Sequence, residues 1–125
     1  MGCGDGRVLV EALRSVPTLR AVGIDWDPEA VSRARANLAA AGVADRATVV
    51  AGDFFASALP WGDVTVVVLY LLPAVLDRLL PLLRSTLRRG VRLFCVCFSF
   101  SDETVRLVRS LPFPTILEVD IFSSS

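Results

Sequence analysis

The chain of 125 residues balances 13 arginines against 13 acids, carries no lysine, no histidine and three cysteines, and is 54% hydrophobic. That length suits one domain of ordinary size, able to bury roughly two-thirds of the surface its unfolded form exposes. Zero net charge gives no electrostatic draw to nucleic acid or anionic membrane, the lack of histidine excludes imidazole acid–base chemistry, and three scattered cysteines make neither a disulfide framework nor a four-ligand zinc site.

From the start, Gly6 to Val16 place Val8, Leu9, Ala12, Leu13 and Val16 at helical spacing, and Pro17 stops them. Leu19 to Ile24 is a short apolar run that fits a buried strand. Pro28 to Ala41 is the clearest helix: Asp27 is placed to cap it, Pro28 takes the first position, Ala30, Val31, Ala34 and Leu38 form the apolar stripe, and Gly42 ends it. Ala47 to Ala51 reads as a strand, Asp53 to Trp61 as a loop or turn, and Val64 to Leu71 as a strand apolar on both faces, as in the middle of a parallel sheet.

Pro73 to Leu87 reads as a helix with Val75, Leu76, Leu79, Leu80 and Leu83 inward and a kink at Pro81. Gly90 ends it, and Arg92 to Phe100 is a fifth hydrophobic run, in which Cys95 and Cys97 read as core thiols on one strand face. Arg88, Arg89 and Arg92 read as a solvated helix end. Glu103 to Ser110 fits either a helix or a strand, whereas Thr115 to Phe122 alternates as a strand. The apolar stretch Val64 to Leu76 is 13 residues long and interrupted by Pro73, short of the ~20 a membrane helix needs. Strands alternating with helices at this pace define an α/β fold of three layers with a mostly parallel sheet, occupying residues 1–122 as one domain with a Ser123–Ser125 tail.

Three short motifs fall at consecutive strand ends. Gly2-Cys3-Gly4-Asp5-Gly6 precedes the first helix, where glycines let a backbone turn tightly and bring a ligand to a helix N-terminus. Arg7 stands where a dinucleotide fingerprint would have its third glycine, which argues against a dehydrogenase. Asp25, nineteen positions after Gly6, ends the second strand, where a carboxylate can accept from both hydroxyls of a ribose. Trp26 beside it either lies against the ribose or adenine or is a surface tryptophan. Gly52-Asp53-Phe54-Phe55 follows the third strand, where a carboxylate can accept from an adenine amino group beside an aromatic ring. Each motif alone is as well explained by a turn, a helix start or a core ring. Their order along strand ends matches adenosine binding.

With these motifs the sequence resembles the class I S-adenosylmethionine-dependent methyltransferases. Gly2 to Arg7 is similar to their first motif, Gly23-Ile24-Asp25 with Pro28 to their second, and Ala51 to Phe54 to their third; the likeness continues through Val64 to Pro73 and Gly90-Val91-Arg92. The GDGR and LYLLP segments resemble a small group that includes mitochondrial protein-lysine methyltransferases. The resemblance implies a Rossmann-like αβα sandwich with strand order 3-2-1-4-5-7-6 and an antiparallel C-terminal hairpin, so that Glu103 to Arg109 becomes a strand paired with Thr115 to Phe122 across Leu111–Pro114. It implies S-adenosyl-L-methionine as cofactor, its methionine part cradled by Gly2, Cys3, Gly4, Asp5 and Gly6, its ribose held by Asp25 with Trp26 alongside, and its adenine by Asp53 and Phe54. Tyr70 would face the transferred methyl group; its bland reading is a strand-end aromatic with its hydroxyl in water. The acceptor would be a protein lysine or another nucleophile, in an intracellular compartment, cytoplasmic or mitochondrial.

The family's first strand, and the acid that ends it, have no counterpart before Gly2. Without it the strands at Leu19–Ile24 and Val64–Leu71 would lack their common partner, the glycine loop would hang from a mobile terminus, and the unpaired edges would favour self-association. Two functional readings follow: a methyltransferase domain within a longer enzyme, or a catalytically inactive remnant acting as an interaction module.

Overall fold

A computed structural model describes residues 2–56, 59, 61–111 and 116–122. They form two compact units, Met1–Ser57 and Ala58–Ser125. In the first unit, helix α1 (Arg7–Ser15) leads to strand β1 (Ala21–Asp25), helix α2 (Pro28–Ala40) and strand β2 (Ala47–Ala51), and β1 and β2 pair in parallel with Ala21 opposite Ala47 and Asp25 opposite Ala51.

Helix α2 forms where its sequence signals put it. The Asp27 carboxylate accepts from the Glu29 N–H at 3.0 Å, and Pro28 occupies the first turn, where its missing N–H costs nothing. At the other end Gly42 adopts φ 74, its N–H donates to Ala39, and the Val43 N–H donates to Leu38. This is a complete Schellman closure, and its two apolar ends, Leu38 and Val43, both belong to the core. Ala30, Val31, Ala34 and Leu38 are the buried stripe, as the spacing requires. Val31, Ala34 and Leu38 pack with Leu13, Val43 and Val49, and each large side chain so removed from water contributes ~1.5–3 kcal/mol.

Helix α1 differs from its expected face. Leu13 is buried and Leu9 and Val10 pack on the core, whereas Val8 and Val16 are about half exposed. The Arg46 guanidinium ties the end of α1 to the segment before β1, donating to the Leu13, Val16 and Leu19 carbonyl oxygens at 2.7, 3.0 and 3.1 Å.

The second unit holds strand β3 (Val66–Leu69), helix α3 (Pro73–Thr86), β4 (Arg92–Val96), β5 (Arg106–Leu111) and β6 (Ile116–Asp120). The sheet order is β3-β4-β6-β5: β3 and β4 are parallel, and β6 runs antiparallel to both β4 and β5. Residues 106–111 are thus a strand rather than a helix; the connection beyond Leu111 and the serine tail lie outside the described residues. Helix α3 continues through Pro81, which sits on its exposed side, and buries Leu76, Leu79, Leu80 and Leu83.

Three expectations change here. Strand β4 ends at Val96, so Cys95 is buried while Cys97 is exposed and outside the strand. Strand β3 is apolar in sequence on both faces, yet Val66 is half exposed. Arg92 is no solvated helix end: it grips the buried Glu118 through two bonds of 2.8 and 3.0 Å and lies over the Phe94 ring, while Arg109 reaches the same carboxylate at 3.2 Å.

The strand sets β2-β1 of the first unit and β3-β4-β6-β5 of the second match the 3-2 and 4-5-7-6 runs of the order expected from the sequence. The glycine loop does not hang free, because the Gly2 and Cys3 N–H groups both donate to the Ile24 carbonyl, at 2.9 and 3.1 Å. The same bonds occupy the edge of β1 at Ile24. Self-association through open edges gains no support from this arrangement.

Candidate functional site

Asp25 is the hub of the first unit's strand-end region. Its Oδ2 accepts from the Gly4 N–H at 3.1 Å and its Oδ1 from the Asp27 N–H at 3.0 Å, while its backbone carbonyl accepts from the Gly52 N–H at 3.1 Å. One residue therefore ties the glycine loop, the start of α2 and the Gly52-Asp53 turn into one rim. A carboxylate offers about four lone-pair positions, and backbone groups use two of Asp25's, so each oxygen keeps acceptor capacity for a vicinal diol.

The glycine loop is shaped by steric need at two places. Gly6 has φ 84, and a Cβ there would lie 3.1 Å from Ala34 Cβ and 3.2 Å from Ala34 Cα, so the loop enters α1 against the α2 backbone. Gly4 has φ 54 and nothing within 4 Å of where its Cβ would be, which leaves open space on the loop beside the Asp25 carboxylate. Asp5 serves the loop itself, pairing with the Arg7 guanidinium at 2.9 Å and accepting from the Arg7 N–H, while its carbonyl accepts from Asn37 Nδ2 at 2.9 Å. Asn37 carries no sequence signal for this role, because it lies 32 positions away on the exposed side of α2. Cys3 is half-buried, and burial pushes its thiol pKa up, as does the nearby Asp25 carboxylate, so it stays protonated and inert.

Asp53 opens a turn by accepting from the Phe55 N–H at 2.8 Å, and it is exposed. Phe54 is buried, so the ring nearest solvent on this turn is Phe55. Trp26, next to Asp25 in the chain, is 77% exposed. Gly2 to Gly6, Asp25, Trp26 and Asp53 thus belong to one region of the first unit. Tyr70 belongs to the second unit, one residue past β3; it is half exposed, and its hydroxyl lies 3.9 Å from Cys97 Sγ.

Among the described residues no group of His, Cys, Asp or Glu side chains could hold a metal ion. No helix among them is long and apolar enough to cross a membrane.

A parallel strand pair with a glycine loop entering one helix, an acid at the tip of β1 and a second acid after β2 is a Rossmann-like arrangement. The chain belongs to the ANTKMT methyltransferase domain family, whose model matches residues 1–106. It is 37% identical over 92 residues to a protein-lysine N-methyltransferase of Saccharolobus islandicus, a match covering 74% of this chain and 56% of that protein. The crystal structure of an RNA methyltransferase from Salinibacter ruber, in complex with S-adenosyl-L-homocysteine, superposes with a TM-score of 0.83 at 35% identity, covering 94% of this chain and 74% of that one. A ribosomal protein L11 methylase from Lactobacillus delbrueckii subsp. bulgaricus matches with a TM-score of 0.74 at 16% identity over 95% of this chain and 66% of that one, which shows the shared fold. The chain spans little more than half the length of the curated lysine methyltransferase.

Proposed function

We propose that this chain is an S-adenosyl-L-methionine-dependent methyltransferase domain whose acceptor is a protein lysine. The observation that carries the reading is the Asp25 hub, which fixes an acid and an open glycine loop side by side. The ribose hydroxyls fit the remaining lone pairs of Asp25, Gly2 to Gly6 give the methionine part a backbone cradle with no side chain over Gly4, and Asp53 is placed to accept from the adenine amino group. Trp26 offers a face for the nucleoside, and Phe54 anchors the Asp53 turn from the core. The protein-lysine acceptor rests on the Saccharolobus relative and on zero net charge, which supplies no excess of cations for a nucleic acid.

The bound cofactor supplies a sulfonium methyl that is already electrophilic, so the chain's task is alignment and proton handling. An acceptor ammonium loses a proton to water before it attacks, and the free amine is the nucleophile that takes the methyl from the sulfonium. Tyr70 Oη is the group we assign to orienting the free amine, by accepting its N–H. The Tyr70 phenol, like any ordinary tyrosine, is protonated at neutral pH, and its contact with Cys97 raises its pKa.

The test is transfer of tritiated methyl from S-adenosyl-L-methionine to lysine-containing peptides. The chain has no lysine of its own, so side-chain lysine label comes only from the acceptor. Incorporation at lysine abolished by Asp25→Ala supports the reading. A folded chain that binds the cofactor and labels no peptide leaves the inactive-remnant alternative standing.

A further inference from the structure

Asn37 is exposed on α2, yet its side chain reaches back to the glycine loop of the same unit. Its Nδ2 donates to the Asp5 carbonyl at 2.9 Å, across 32 positions of sequence. The N–H of that same Asp5–Gly6 peptide donates to the Cys3 carbonyl at 3.0 Å, so the peptide is held at both ends. Ala34, on the preceding turn of α2, lies 3.1 and 3.2 Å from where a Gly6 Cβ would be, so loop and helix touch there. Gly2, Gly4 and Gly6 have φ of 66, 54 and 84, and glycine adopts the opposite sign about as readily. The loop's shape is therefore set by its neighbours, and a loop left unset has to be ordered when ligand binds, which weakens binding. Helix α2 has no need of Asn37 for itself. Asp27 and Gly42 mark its ends, its buried face is Ala30, Val31, Ala34 and Leu38, and asparagine is among the poorer helix formers.

We propose that Asn37 is a positioning residue for the cofactor: by pinning the Asp5–Gly6 peptide it presets the glycine loop for the methionine part of S-adenosyl-L-methionine. Asp25 fixes the loop from the β1 side through the Gly4 N–H, and Asn37 fixes it from the α2 side through the Asp5 carbonyl. Asp25 also meets the ribose, so its removal disturbs both ends of the ligand. Asn37 acts on the amino-acid end alone. This role rests on the reading of Gly2 to Gly6 as the methionine cradle.

The experiment compares the full chain with Asn37→Ala, which removes the donor from a helix that tolerates alanine, and Asn37→Asp, which keeps the shape but turns an oxygen towards the Asp5 carbonyl. Two readouts are taken. Amide hydrogen exchange of Gly4 and Gly6 in the ligand-free chain reports the loop itself. Calorimetric titrations with S-adenosylhomocysteine and with 5′-methylthioadenosine, which has the nucleoside and sulfur but no amino-acid part, report the two ends of the site. Expected for Asn37→Ala are loop exchange faster by about three- to tenfold and S-adenosylhomocysteine binding weaker by about the same factor, one hydrogen bond's worth. Methylthioadenosine affinity should not change, and the melting temperature should change little. Asn37→Asp should lose at least as much S-adenosylhomocysteine affinity as Asn37→Ala. Unchanged loop exchange, or equal S-adenosylhomocysteine affinities in parent and Asn37→Ala, overturns the positioning role and leaves the cofactor reading intact. Equal fractional losses for both ligands also overturn it, since they mark a general structural effect. A folded parent chain that binds neither ligand overturns the cofactor reading, and this role with it.

Discussion

Replacing Gly6 with alanine tests how the cofactor loop is built, and the cost follows from two separable contributions. A residue with a Cβ at φ 84 pays about 1–2 kcal/mol for the left-handed backbone. The added Cβ also lies 3.1 Å from Ala34 Cβ and 3.2 Å from Ala34 Cα. The second neighbour is backbone and cannot swing away, so overpacking adds about 1–3 kcal/mol. Together these amount to about 2–5 kcal/mol, a large part of a total stability on the order of 5–15 kcal/mol. With an unfolding entropy near 2.1 cal/mol/K per residue over 125 residues, the melting temperature should fall by roughly 8–19 °C. Gly4→Ala is the internal comparison: its φ of 54 carries the backbone cost, but its Cβ would meet nothing within 4 Å. It should lose only about 4–8 °C while weakening S-adenosylhomocysteine binding, because the methyl enters the cradle. Thermal melts by circular dichroism distinguish the two. Equal melting temperatures for both variants would refute the close approach of the loop to α2.

Arg46→Ala should cost about 2–3 kcal/mol, because the carbonyl oxygens of Leu13, Val16 and Leu19 lose a shared cationic donor, and Arg46→Lys should recover only a minor part, since one ammonium cannot span all three; urea melts check both. Glu118 carries a pH signature. Its hydrogen bonds and charge pairing with Arg92 hold its carboxyl pKa below the ordinary value of 4.5, with Arg109 assisting. The stability it supplies is complete above that ordinary value and is lost as pH falls through the lower folded-state pKa. Urea midpoints between pH 6 and pH 2 should therefore drop more steeply for the parent chain than for Glu118→Gln, and parallel curves would contradict the pairing.

The sequence carried much of this architecture because its signals were local. Asp27, Pro28 and Gly42 bracket α2, and the stripe Ala30, Val31, Ala34 and Leu38 repeats at the helical period, so start, stop and buried face were all readable. The C-terminal hairpin was different. Residues 103–110 suit a helix and a strand equally, and it is the pairing of 106–111 with β6, a non-local fact, that makes a strand there. The same limit applies to the polar contacts. Arg92 and Glu118 are 26 positions apart, and Arg46 acts on carbonyls 27 to 33 positions away. In the site, Asp25 stood out by its place at a strand tip, but its carbonyl bond to Gly52 and the support of Asp5 by Asn37 exist only once the chain is folded. Cys97 was misread because alternation with Cys95 assumed that the strand continued, whereas it stops at Val96 and turns.

The most direct test of the central claim is a calorimetric titration of the folded 125-residue chain with S-adenosylhomocysteine, beside its Asp25→Ala variant. Asp25 contributes charge-assisted hydrogen bonds to the ribose and also holds Gly4 in place, so its removal should weaken binding by about 10- to 100-fold or more. Saturable one-to-one binding by the parent chain, lost in the variant, is the predicted result. Equal affinities would show that Asp25 is not the ribose acceptor. No binding by a folded parent chain would contradict the account, and leave the chain with the fold of a methyltransferase without its cofactor site.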